Sequence, residues 1–329
     1  MLTHKKIGKK SAIYLILIIS IIAVGSIFTT YQNFEPLRTL SALTAMCSIL
    51  IHFLFKYSKN ESIYILKEFS FAIFYFLITS ILASTITNVE IIKVEYTGEI
   101  RLSGLSNPAH VASMAYLSLI SNILIFKYSK KIAHIWLAVL CLLIIISTGT
   151  RMPTLLGIAL LIMFFAKDIC KSKNLIILTA IVASITILAT MNFELSIIER
   201  FMSATNSGRD LIWDHLLGVF PSYKYIGIGF GHQIRIMPPE LSEKVVTIAA
   251  HNEYLRLLVE LGIILTPIFF YFFFLYIYNS TKESNSSFKY FFFIIISFLI
   301  YSITDNTISM SWTLLTFLSL KLFNTLNHD

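Results

Sequence analysis

A chain of 329 residues that is 56% hydrophobic and 13% charged, with a mean hydropathy of +0.77, carries more apolar surface than a soluble domain of that size can hide. The composition excludes a water-soluble fold and predicts an all-α integral membrane protein, a single polytopic domain over 1–329. The net charge of +8 would suit nucleic acid, but the placement of the charges along the chain assigns them to topology and lipid headgroups, so no nucleic-acid partner is expected.

Ten apolar runs approach the roughly 20 residues that cross a hydrocarbon core. They lie at about 11 to 29, 39 to 55, 69 to 86, 109 to 126, 132 to 148, 152 to 166, 174 to 191, 254 to 278, 288 to 304 and 308 to 325. The first follows a basic start but has no small-residue cleavage pattern, so it is expected to be retained as a helix rather than removed as a secretory signal. With the amino terminus inside, sixteen of the nineteen lysines fall on the inner side against five acids, and all seven arginines fall outside. That gives +11 inside and −3 outside, as the positive-inside rule requires, and puts both termini in the cytoplasm. Cys47 and Cys141 lie within the apolar runs and Cys170 at an inner end, which suits neither a disulfide nor a Cys-based zinc site.

On the outer side an intermediate loop covers about 87 to 108, and nearly 60 residues, about 192 to 250, form one long loop expected to be functional. Within it Ser207 and Asp210 make a capping-box variant, and Trp213, Leu216, Leu217 and Phe220 recur at helical spacing until Pro221. This predicts an amphipathic helix over about 208 to 220, lying on the outer leaflet or on the bundle. The run YIGIGFGH follows, with Gly227, Gly229 and Gly231. Its spacing is wrong for a nucleotide-binding GxGxxG loop, and a flexible turn near a ligand is expected, with Gly229 and Gly231 as candidate substrate contacts.

Three cationic or titratable positions stand at expected helix starts. Arg151, in STGTRMP, precedes Pro153 at the head of the sixth crossing; Arg209 opens the amphipathic helix; His251, in AAHNEYLRLLVELG, marks the start of the eighth. Free backbone N–H groups and the helix dipole attract phosphate there, and the arginine fork suits bidentate phosphate contact better than lysine's point charge. The outer face is therefore expected to take a pyrophosphate or an acidic glycan. The competing reading pairs these arginines with outer carboxylates: Arg256, three residues after Glu253 and four before Glu260, is expected to do so, and Arg200 and Arg235 are assigned structural parts. On spacing alone His251 reads first as a satisfied buried histidine, an order that the resemblance below reverses.

In order and spacing, RLSGLSNPAHVASMAYLSL, STGTRMPTLLG, SGRDLIWDHLLGVFPSYKYIGIGFG and AAHNEYLRLLVELGIIL resemble the O-antigen ligase and polymerase superfamily. The resemblance implies a bacterial inner-membrane glycosyltransferase that takes a glycan from undecaprenyl pyrophosphate on the periplasmic face and transfers it with inversion, without a metal or other cofactor. It implies Arg151 and Arg209 as pyrophosphate contacts and His251 as the group acting on the acceptor hydroxyl. Arg101, at the head of the first fragment, and Asn252, as an orienting or capping residue, complete the candidate substrate contacts. The acceptor is expected to be a growing glycan, making the protein a repeat-unit polymerase of O-antigen or capsule. Ligation to lipid A core and protein glycosylation are the alternatives. Better-known family members have about twelve crossings and a longer chain.

Two other classes compete. A multi-span transporter would carry ionisable residues inside its crossings, whereas only Arg256 and Glu260, near an outer end, meet that description. A metal hydrolase could use Asp210, Asp214, His215, His232 and His251, but no HExxH or comparable ligand pair is present.

Overall fold

The computed structural model describes residues 8–94, 100–169, 209–281 except 244 and 246, and 288–327. Helices cover nine of the ten apolar runs: α1 (Lys9–Phe28), α2 (Pro36–Leu50), α3 (Lys59–Thr87), α4 (Pro108–Ser129), α5 (Ala133–Ser147), α6 (Arg151–Ile169), then α7 (Arg209–Val219) in the outer segment, and α8 (Glu253–Thr281), α9 (Phe288–Tyr301) and α10 (Ser311–Leu326). The expected seventh crossing, 174 to 191, lies outside the described residues, as do Ser207 and Arg200. Among the described residues, Lys9–Phe28, Pro36–Leu54, Lys59–Thr87, Pro108–Ser129 and Glu253–Thr281 are long and apolar enough to cross a bilayer; Ala133–Ser147, Arg151–Phe164 and Tyr290–Tyr301 are apolar but shorter.

The chain divides into two compact units, residues 1–58 with 205–328, and residues 59–204 with 329. In the second unit α4 is the centre, buried at every position from Val111 to Ile125. Pro108 opens it, and the side chain of Asn107 caps it by accepting from His110 N at 2.9 Å. Buried hydroxyl and amide groups tie it to its neighbours. Ser118 Oγ donates to Phe69 O at 2.8 Å, Asn122 Nδ2 donates to Ser70 O at 3.0 Å, and Asn122 Oδ1 meets His134 Nδ1 at 3.0 Å. In an apolar surrounding such bonds fix register, because an unpaired alternative is costly. The loop expected over 87 to 108 contains an antiparallel hairpin, β1 (Ile92–Val94) with β2 (Ile100–Leu102), which sets Lys93 opposite Arg101. Strands of three residues are too short to announce themselves by alternation.

In the first unit α1 packs along α8, and Gly25 brings them close: a Cβ there would lie 3.2 Å from Leu265 Cδ1. An aromatic stack runs Phe269, Phe273, Phe298, Phe317, with successive centroids 6.0, 5.9 and 5.2 Å apart, joining α8, α9 and α10. The carbonyls freed where α2 ends are taken up from other helices, Leu50 O by the Tyr276 hydroxyl and Phe53 O by the Lys321 ammonium.

α7 confirms the amphipathic helix with a shifted stripe. Ile212 and Leu216 are fully buried against Tyr31, Ile228, Met237, Ala250 and Val259, Trp213 and Phe220 pack at the edge, and Leu217 is exposed. The expected stripe counted Leu217 and omitted Ile212. A partner with its own shape, rather than a flat lipid surface, chose the face.

Candidate active site

The site in the first unit rests on a broken helix. Gly262, at φ 71° and ψ 176°, interrupts α8 after its first nine residues. The run Tyr225–Gly231 fills the break. Ile228 N and Gly229 N donate to Val259 O and Glu260 O at 3.0 and 2.9 Å, while Ile263 N donates to Lys224 O at 2.8 Å. The two backbones touch directly: a Cβ on Gly227 would stand 2.4 Å from Glu260 O, and one on Gly262 2.3 Å from Tyr225 O. Only glycine tolerates both the positive φ and the approach. Gly229 and Gly231, expected near a ligand, face Phe34 and Ala42, whose atoms a Cβ would meet at 2.6 and 2.9 Å. Their geometry is that of packing.

The first turns of α8 carry a buried ion cluster. Arg256 Nη1 donates to Glu260 Oε2 at 2.6 Å, and its Nε and Nη2 form a fork with Glu253. Its guanidinium also lies 5.3 Å from the centre of the Phe230 ring. The expected pairing on one helix face is present, with all three side chains almost wholly buried. Two carboxylates share one guanidinium in this buried cluster, which begins two residues beyond His251.

Just ahead of this helix, Asn252 Oδ1 accepts from Leu255 N at 3.0 Å, so Asn252 acts as the N-cap. His251 adopts a left-handed backbone, φ 45°. Its Nδ1 lies 3.0 Å from Asp305 Oδ1 and its Nε2 3.3 Å from Thr247 Oγ1, with 19% of the side chain exposed against 8% for Asp305. With the proton on Nδ1 donated to the carboxylate, Nε2 keeps a lone pair that faces the Thr247 hydroxyl. Arg209, the first residue of α7, donates from Nη1 to Thr304 O at 3.2 Å. Consecutive residues of the α9–α10 turn, Thr304 and Asp305, thus hold the arginine and the histidine that the sequence singled out.

Asp305 was not foreseen. The available signal was that it is the lone acid between Glu283 and Asp329, in a short outer loop. The other histidines proposed as metal ligands have backbone duties: His215 Nε2 meets Ile236 O at 2.8 Å, while His232, fully buried, accepts from Glu35 N at 2.9 Å and stacks on Phe34. Arg235 pairs with Glu35 at 2.9 Å, an exposed bridge in keeping with its structural assignment.

In the second unit the other two candidate arginines share a turn. Arg101, on β2, donates from Nε to Thr148 O at 2.7 Å and lies against Gly149, where a Cβ would stand 3.2 Å from that Nε. Arg151 begins α6 two residues later, as the position of Pro153 predicts. Thr148 and Thr150 join their hydroxyls at 2.7 Å, closing the turn on itself. Each unit therefore presents arginine at the amino-terminal end of a helix, where anions are favoured.

No curated protein matches the chain. A family model described as O-antigen ligase matches residues 136–271, a span that holds Arg151, Arg209, the glycine run and His251.

Proposed function

We propose that this chain transfers a glycan from a polyprenyl pyrophosphate, of the undecaprenyl type, to a sugar hydroxyl, and that it polymerises O-antigen or capsule repeat units on the periplasmic face of a bacterial inner membrane. One observation carries the reading: Arg209 and His251 are held by neighbouring residues of one turn, which sets an anion-binding side chain beside an imidazole backed by a carboxylate.

In the proposed step the acceptor hydroxyl takes the place of Thr247 at His251 Nε2. Its oxygen attacks the anomeric carbon from the face opposite the pyrophosphate, the carbon–oxygen bond to phosphate breaks, and its electron pair leaves with the lipid pyrophosphate. The hydroxyl proton passes to Nε2, and the imidazolium so formed is stabilised by Asp305. Arg209 takes up the charge developing on the leaving pyrophosphate, with the amino-terminal end of α7 behind it. Arg151 retains the anion contact that the resemblance gives it, supported in its own unit by Arg101 and the turn they share. A good leaving group needs charge stabilisation, a base and alignment, and these residues supply all three without a metal or other cofactor.

The acceptor assignment draws on the outer segment. Among the described residues, 209–250 packs on the first unit's own core, which suits a lipid-linked glycan acceptor presented at the membrane. His251→Ala in purified protein should retain donor binding while transfer falls by roughly 100-fold or more; near-parental turnover would remove the base. In a deletion strain, single repeat units still joined to lipid A core would mark a polymerase. Loss of all attached glycan, with accumulation on the lipid carrier, would mark a ligase instead.

A further inference from the structure

We infer that Gln233 is a positioning residue for His251, acting on the transfer step through the backbone of residues 248–250. The inference rests on the reading of His251 as the base. Gln233 is 2% exposed and uses both ends of its amide on one short stretch of chain. Its Nε2 donates to Ile248 O at 3.0 Å, and its Oε1 accepts from Ala250 N at 3.1 Å. The side chain thus replaces a neighbouring strand for the two residue positions that lead into His251.

That stretch needs holding. A left-handed backbone is unfavourable for a non-glycine residue and persists only where the surroundings over-determine it. On the far side of His251, Glu253 N donates to Ser302 O at 2.8 Å. On the near side, Gln233 and the indole of Trp213, whose Nε1 donates to Ala250 O at 2.7 Å, are the side chains that clamp Ala250. Trp213 stands one turn after Arg209 on α7, so the clamp also ties the helix bearing the arginine to the segment bearing the histidine. Gln233 is anchored in turn. Its backbone N–H donates to Glu260 Oε1 at 3.0 Å, which links it to the Arg256 cluster. The buried ions therefore fix Gln233, Gln233 fixes residues 248–250, and these fix the imidazole against Asp305.

The test is Gln233→Met, close in size but without hydrogen-bonding groups, in full-length purified protein with a lipid-pyrophosphate oligosaccharide donor. A displacement of about 1 Å at a reacting group can reduce rates by about 100-fold. The expectation is a fall in kcat of roughly 10-fold or more, with donor Kd unchanged. The same substitution in a His251→Ala background should cost little further, because a residue acting through His251 has nothing left to position. Trp213→Phe removes the donor to Ala250 O while keeping an aromatic ring, and serves if Gln233→Met does not fold; it should show a smaller kcat loss that also vanishes without His251. Equal losses in both backgrounds, or a change in thermal stability alone with kcat per folded molecule intact, would overturn the assignment of Gln233 and leave His251 as the base. Full activity of His251→Ala would instead overturn the underlying reading.

Discussion

Replacing Asp305 by asparagine removes a charge and little else. The new side chain keeps an oxygen for Asn306 N–H, now bonded at 2.9 Å, and for His251 Nδ1–H, now at 3.0 Å. What disappears is the negative charge facing the imidazolium that forms as the acceptor proton is taken. A hydrogen bond to a charged partner contributes about 1.5 to 3 kcal/mol, and at 8% side-chain exposure solvent screens little of it. At about 1.4 kcal/mol per tenfold, the transfer rate should fall roughly 10- to 150-fold. The suitable assay is single-turnover transfer by purified protein in a bilayer disc, with donor binding measured separately. The donor Kd should stay unchanged, because Asp305 meets the histidine rather than the pyrophosphate arginine. A folded Asp305→Asn variant that transfers within about threefold of the parent would refute the charge argument and reduce Asp305 to a turn-forming residue.

Arg209→Lys should be nearly as damaging as Arg209→Ala, on the order of 2 kcal/mol or about 30-fold in rate, since an ammonium cannot bond Thr304 O and a phosphate oxygen in the arginine's two-pronged way; transfer assays on both variants decide. Gly262→Ala should destabilise the first unit by on the order of 3 kcal/mol, combining a left-handed alanine with a Cβ placed 2.3 Å from Tyr225 O, whereas Gly218→Ala, with nothing within 4 Å of its Cβ in α7, should leave stability unchanged or raise it by about 1 kcal/mol. Thermal unfolding of the purified protein measures both, and equal effects would contradict the interlocked backbone. With the native cysteines removed, Asn206→Cys and Glu243→Cys should react with a membrane-impermeant thiol reagent in intact spheroplasts and Ser172→Cys should not; the reverse pattern would invert the topology.

The sequence by itself determined what depends on composition and local spacing. Lipid as solvent follows from the hydropathy, helix positions follow from the apolar runs, and the Glu253–Arg256–Glu260 cluster follows from i, i+3 and i+4 neighbours on one face. Arg209 and His251 could be singled out as candidates because motif order and helix starts are written along the chain. The break in α8 was not. VELGIIL reads as continuous helix, and one glycine costs a helix only about 1 kcal/mol, so nothing local ends it there. Only contact with Tyr225–Gly231, more than thirty residues earlier, supplies the hydrogen bonds that make the break stable. The same holds for Asp305, 54 residues from His251, and for Gln233, which reaches Ala250 across 17. Their partners lie beyond the reach of any helical period, so tertiary packing alone decided that an isolated acid and a buried amide would converge on one histidine.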